Sequence, residues 1–177
     1  MDGRVPHAGA AAAPDYRKQV ITETVLTERN YLQSLASLCD LKRTIVNRQL
    51  LGEAVVQRLF SSVDLIYELH QRFSTTLDGI EVRDALPQKL GEYASLFVDY
   101  EEDFGVYWPY IANLSMFDRL AYLHRVLPQI QHTGHEITRD FYVLDGYLLR
   151  PYSRFAKYSV LMKAWPISWT LNLSSPR

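Results

Sequence analysis

Between Asp15 and Leu51 the chain contains neither proline nor glycine, the two residues that most disfavour a helix interior. Within that stretch Ile21, Val25, Leu32, Leu35, Leu38 and Ile45 recur close to helical spacing,. The pattern predicts one long amphipathic helix whose apolar face must be covered by the rest of the chain. Glu23 lies two residues from both Ile21 and Val25, so it points away from the stripe and towards solvent. Glu28 projects into the stripe between Val25 and Leu32, where an unpaired carboxylate is costly. It needs a cation or a hydrogen-bond donor as partner.

The later segments repeat the helical pattern. A second helix is predicted from about Glu53 to Leu77, carrying Val56, Leu59, Phe60, Val63, Ile66, Tyr67 and Phe73 and ending at Asp78-Gly79,. Residues 83–112 hold an aromatic stripe, from Leu90 and Tyr93 through Phe97, Tyr100, Phe104 and Tyr107, broken by Gly105 and Pro109. Two shorter helices or one kinked helix fit it. A further piece spans about Phe117 to Ile130, and the polar linker Gln131 to His135 then marks a change of direction. From Phe141 to Trp165, Phe141, Leu148, Phe155 and Met162 stand seven apart, with Leu144, Tyr158 and Trp165 at companion positions,. That helix should lie against another, kinked or restarted at Pro151. No alternating strand pattern appears, and the fold class is all-α.

Composition narrows the function classes. With 177 residues and 47% hydrophobic content, one globular domain can bury roughly two-thirds of the unfolded chain's surface. Nineteen basic against 20 acidic residues leave a net charge of −1, which points to neither nucleic acid nor an anionic membrane. No apolar run reaches the ~18 residues of a transmembrane span. The single cysteine, Cys39, cannot form an internal disulfide and suits a reducing, cytoplasmic setting,. It falls on the apolar side of the first helix, as a small buried hydrophobe would. Residues 1–14 read as a disordered lead-in. Asn113 and Asn172 head chance matches to the glycosylation sequon.

No phosphate loop, HExxH, CxxC or GxSxG motif is present,, so no cofactor is expected. His132, His135 and Glu136 could offer metal ligands, but no fourth ligand is evident and the linker reads as a solvated loop. Arg150, Arg154 and Lys157 follow i, i+4, i+7 spacing and form a basic row beside the heptad seam,. The row is short and lacks interleaved stacking aromatics, which fits a contact with one acidic protein surface better than nucleic acid.

The run Val20-Ile-Thr-Glu-Thr-Val-Leu-Thr-Glu-Arg-Asn-Tyr-Leu-Gln-Ser-Leu35 resembles the first block of Dbl homology domains, the exchange factors for Rho-family GTPases. Leu144-Asp-Gly-Tyr-Leu-Leu-Arg-Pro-Tyr-Ser-Arg-Phe-Ala-Lys-Tyr-Ser-Val-Leu-Met162 resembles the third, and Leu90-Gly-Glu-Tyr93 with Phe97, Tyr100 and Tyr107 is similar to the middle one. The resemblance covers residues 17–165. It implies an elongated helical bundle that binds the two switch regions of a Rho-family GTPase, displaces Mg²⁺ and lets GDP leave, with no covalent chemistry. By position, Glu23 matches the acid that engages switch I and Lys157 the base that reaches switch II. Ser153 stands where the family carries a glutamine that reaches the GTPase, Arg150 where it carries lysine, and Ser159 where it carries proline.

The same resemblance implies a further long helix after the third block, which Pro166 to Arg177 does not match. The expected organisation is thus a lead-in at 1–14, an incomplete Dbl homology-like domain at 15–165 and a divergent, irregular tail at 166–177, with exchange activity weak or absent. A non-catalytic helical interaction module is the alternative, and a metal or hydrolytic enzyme rests only on His132 and His135. For Glu28 the expected partner is Arg154, on a helix that should pack on the first.

Overall fold

The computed structural model describes residues 13–80, 87–115 and 118–164. The expected irregular tail at 166–177 and the lead-in up to residue 12 lie outside these. Seven α-helices follow one another among the described residues: α1 Ala13–Asn47, α2 Glu53–Phe60, α3 Val63–Gly79, α4 Pro87–Asp99, α5 Tyr107–Ser115, α6 Arg119–Ile130 and α7 Phe141–Ala164. Short 3-10 turns at Asp103–Val106, Gln131–Thr133 and Glu136–Thr138 link them. The described residues contain no strand, and the fold is all-α.

Helix α1 ends a few residues earlier than its sequence pattern suggests. Gln49 takes a left-handed φ of 53°, its N–H bonds to Val46 O at 3.1 Å, and the N–H of Leu50 reaches back to Ile45 O at 3.0 Å. This pair of bonds is a Schellman motif, which satisfies carbonyls that a helix end leaves open. Leu50 then packs back onto the core. The predicted single helix from Glu53 to Leu77 is instead two, because Ser61 adopts φ 35° and ψ −123° and breaks the ladder. Ser62 Oγ donates to Val106 O at 2.7 Å, fastening that corner to the turn before α5. In residues 83–112, α4 and α5 are separate helices joined through a 3-10 turn, the first of the two arrangements the aromatic stripe allowed.

Cross-helix contacts give the packing directions. Arg29 meets Asp78 and Lys42 meets Asp64, so α1 and α3 run antiparallel. Thr27 meets Arg154 and Ser34 meets Arg150, so α7 lies antiparallel along another side of α1. On the far flank of α7, Tyr110 Oη donates to the Leu148 carbonyl at 2.9 Å, and Arg119 Nε donates to Asp145 Oδ1 at 2.5 Å. α7 is thus the central strut, touched by α1, α5 and α6. It remains one helix through Pro151 and does not restart there. A proline inside a helix opens the hydrogen bonds of the preceding turn, and Tyr110 supplies a donor to a carbonyl in that turn.

The core is mostly aliphatic along α1 and aromatic where α3, α4, the 3-10 turn before α5, α5 and α7 converge: Phe73, Phe97, Phe104, Tyr107 and Tyr158 are all buried and in ring contact. The buried line of α1 is Thr24, Glu28, Tyr31, Leu35 and Leu38, while Val25 and Leu32 are only half-buried. The apolar residues of this helix therefore mark the edge of its inner face in the first half, and polar side chains occupy the centre.

Candidate functional site

Glu28 is fully buried, and every partner it needs comes from another helix. Arg154 Nη2 donates to Oε2 at 2.7 Å, the hydroxyl of Tyr158 donates to the same oxygen, and His70 Nδ1 faces Oε1. Burial raises the pKa of this carboxyl, but the bond from His70, its field, the Arg154 charge and the Tyr158 bond together hold it below the ordinary glutamate value,. An ionised carboxylate only accepts, so His70 Nδ1 carries the proton and donates. The other ring nitrogen, Nε2, lies 2.6 Å from Tyr107 Oη, which in turn lies 2.9 Å from Tyr31 Oη. The two hydroxyls and the imidazole form one chain of hydrogen bonds ending on Glu28.

Arg154 is only 7% exposed and spends its nitrogens inside the fold. Nε donates to Tyr158 Oη at 2.8 Å and Nη1 to Thr27 Oγ1 at 3.0 Å. The guanidinium also lies over the Tyr158 ring, 4.8 Å from its centroid,. The sequence reading thus placed Glu28 and Arg154 as a pair, and the two stand in contact. It also placed Arg154 in an exposed basic row, which the structure corrects: Arg154 turns inward, while Arg150 and Lys157 stay at the surface. A buried carboxylate draws the nearest guanidinium to itself, and one turn of helix on either side leaves the other cations outside.

Above this buried network, α1 and α7 border an open groove of about 580 Å³. Ser153 and Lys157 line it and are exposed, as are Asn30 and Gln33 on the facing helix. Glu23 is exposed on α1 one turn before Thr27, which lines the groove and accepts from Arg154. Among the described residues no ion pair is formed by Glu23 or Lys157.

Two other positions are accounted for by packing. Cys39 is buried beside the Val63 carbonyl, and burial, with the nearby Asp64 carboxylate, pushes its thiol up to about 12. It is no thiolate nucleophile. His135 Nδ1 accepts from the Ile137 amide at 3.3 Å, and its Nε2 faces Asp40 Oδ2 at 3.6 Å. The described residues hold no cluster of three or more metal-ligating side chains, and none of their helices is long and apolar enough to cross a membrane.

Sequence reasoning missed His70 and the tyrosine hydroxyls. The signal for His70 was present: it falls on the stripe of Ile66, Phe73 and Leu77, just as Glu28 falls on the stripe of α1. Two ionisable residues on inward faces of adjacent helices are each other's natural partners. For Tyr31, Tyr107 and Tyr158 no signal existed, because an aromatic on an apolar face reads as core whether or not its hydroxyl is used.

Residues 20–165 match the family model of the RhoGEF domain. The Mus musculus protein called phosphatidylinositol 3,4,5-trisphosphate-dependent Rac exchanger 1 protein is 30% identical over 173 residues, covering 86% of this chain and 10% of that protein. Homo sapiens pleckstrin homology domain-containing family G member 3 is 29% identical over 166 residues, covering 87% of this chain and 13% of that protein. Homo sapiens guanine nucleotide exchange factor DBS is 26% identical over 154 residues, covering 83% of this chain and 13% of its own length. The chain therefore spans little more than a tenth of these relatives. With most of its length matched, and both walls of the groove inside the match, the chain belongs to the RhoGEF domain family.

Proposed function

We propose that this domain promotes guanine nucleotide exchange on a Rho-family GTPase, which docks over the groove between α1 and α7. The observation that carries the reading is two exposed, opposite charges that form no ion pair among the described residues, Glu23 on α1 one turn before the groove-lining Thr27 and Lys157 in the groove wall on α7. By the family's pattern Glu23 engages switch I and Lys157 reaches switch II. The buried Glu28 and Arg154 contact supports the reading, because it joins the two helices that carry them.

Exchange requires no bond to be made or broken by the protein. A domain that binds the nucleotide-free GTPase more tightly than the loaded form lowers nucleotide affinity by the same factor, since coupling between two ligands is reciprocal. Side chains held before the encounter lose little freedom on binding, so more of their interaction energy remains for displacing the nucleotide.

The test is release of a fluorescent GDP analogue from a panel of purified Rho-family GTPases, together with capture of the nucleotide-free forms by the full chain. Accelerated release and selective capture of the nucleotide-free form are expected. Binding without release supports the second reading, a non-catalytic interaction module. That reading draws on Ser153, whose short exposed side chain lines the groove where the family's longer glutamine would reach out. Neither binding nor release removes both.

A further inference from the structure

Arg150 is exposed, as a surface arginine usually is, yet its side chain is held at two points. One terminal nitrogen donates to Ser34 Oγ across the α1 and α7 interface. Its guanidinium carbon sits 3.8 Å from the centroid of the Tyr147 ring, one turn back on the same helix. Ser34 is itself buried and anchored, donating to the Asn30 carbonyl at 2.9 Å. The hydroxyl therefore has lone pairs left for Arg150 and little freedom to move.

Among the described residues the positive charge has no answering negative one. The ion pairs of α7 run elsewhere, from Arg154 to Glu28 and from Asp145 to Arg119, and among the described residues no carboxylate lies within ion-pair distance of Arg150. Glu136 lines the same groove without pairing with it. A guanidinium offers five N–H donors in a planar fork. Ser34 takes one and the aromatic ring covers a face, which leaves an edge for a planar acceptor in the groove.

We propose that Arg150 is a preset contact for a carboxylate side chain, aspartate or glutamate, on the GTPase that docks over this groove. The inference rests on the exchange-factor reading and adds to it a contact distinct from Glu23 and Lys157. Ser34 and Tyr147 act as positioning residues: they fix the fork before the partner arrives, so that little side-chain freedom is lost on docking. Arginine rather than lysine suits the role because only the fork meets both carboxylate oxygens.

The experiment measures the affinity of the full chain for nucleotide-free Rho-family GTPases at low and moderate salt, with melting temperature as a control on folding. For the GTPase that the unaltered chain binds best, Arg150→Ala should weaken binding by about tenfold or more and flatten its salt dependence. Arg150→Lys should fall between, and Tyr147→Leu should weaken binding while Arg150 is still present. Asp→Asn and Glu→Gln substitutions across the GTPase's binding face should reveal one acid whose loss costs as much as Arg150→Ala, with no further loss when the two are combined. Unchanged affinity in Arg150→Ala overturns the proposal, and so does a GTPase face on which no acid couples to Arg150. If Arg150→Ala lowers the melting temperature, Arg150→Lys decides: full affinity and full salt dependence in that variant overturn the assignment. A chain that captures no GTPase at all defeats the exchange-factor reading itself. Capture that is indifferent to Arg150 defeats only this inference.

Discussion

Glu28 and Glu23 lie on successive turns of one helix and have opposite fates, decided by which way each faces. Glu28→Gln keeps the shape but leaves Arg154 without its counter-charge, so a loss of roughly 3–5 kcal/mol is expected, read from denaturant midpoints. The acid side of the stability profile carries a second signature. Because its folded pKa lies below the unfolded value, the Glu28 contribution is complete above the ordinary glutamate pKa and is lost as pH falls through the depressed one,. Midpoints measured from pH 7 downwards should therefore drop below about pH 4–5, and Glu28→Gln should lack that portion of the drop. If the variant and the original chain lose stability in parallel, the carboxylate is not the group that titrates. Glu23→Ala should shift stability by less than about 0.5 kcal/mol, as for other exposed positions, and sharply slow GDP release. A variant that melts early yet exchanges normally would show that Glu23 belongs to the fold and not to the docking face.

At the scale of elements, α7 does two jobs with different residues. Its inner face, Leu144, Leu148 and Tyr158, fills the core, while Arg150, Ser153 and Lys157 border the groove. The proline between them is buried, and Tyr110 braces the turn before it. Tyr110→Phe keeps the ring and removes only the O–H. A loss of about 1 kcal/mol is expected, which lowers the melting temperature by about 2–4 °C in a chain of this size. Substitution with no effect would mean that the Leu148 carbonyl is satisfied within its own helix. The brace also links the α5 flank to the helix that carries the groove, so the variant's exchange rate is worth measuring beside its stability.

At the scale of the whole molecule, the centre of the bundle is aromatic and hydroxylated. Burial, first of all, raises the ionisation of Tyr31, Tyr107, Tyr110 and Tyr158 above the ordinary tyrosine value, and moves Tyr93 to about 12. A group whose folded pKa is raised contributes stability that is complete below its unfolded pKa, near 10, and is lost as pH climbs towards the folded value. Phenolate absorbance should therefore include a component, from the buried set, that rises only with unfolding. A single smooth rise near pH 10 would contradict a closed core. Sequence by itself determined that the chain is helical, because periodic apolar residues and the long span free of proline and glycine are local properties. It also determined that Glu28 required a partner, since a charge on an apolar face is a debt visible without coordinates. Spacing along α7 placed Arg154 within reach but equally within an exposed row, and did not choose between them. Only the tertiary structure decided that choice, broke the second helix at Ser61, joined His70 and three tyrosine hydroxyls to Glu28, and pinned Arg150 between Ser34 and Tyr147. The physical reason is that each of these depends on where a second helix lies, and hydrogen bonds reach only about 3 Å, far less than a one-residue rotation of either helix displaces a side chain.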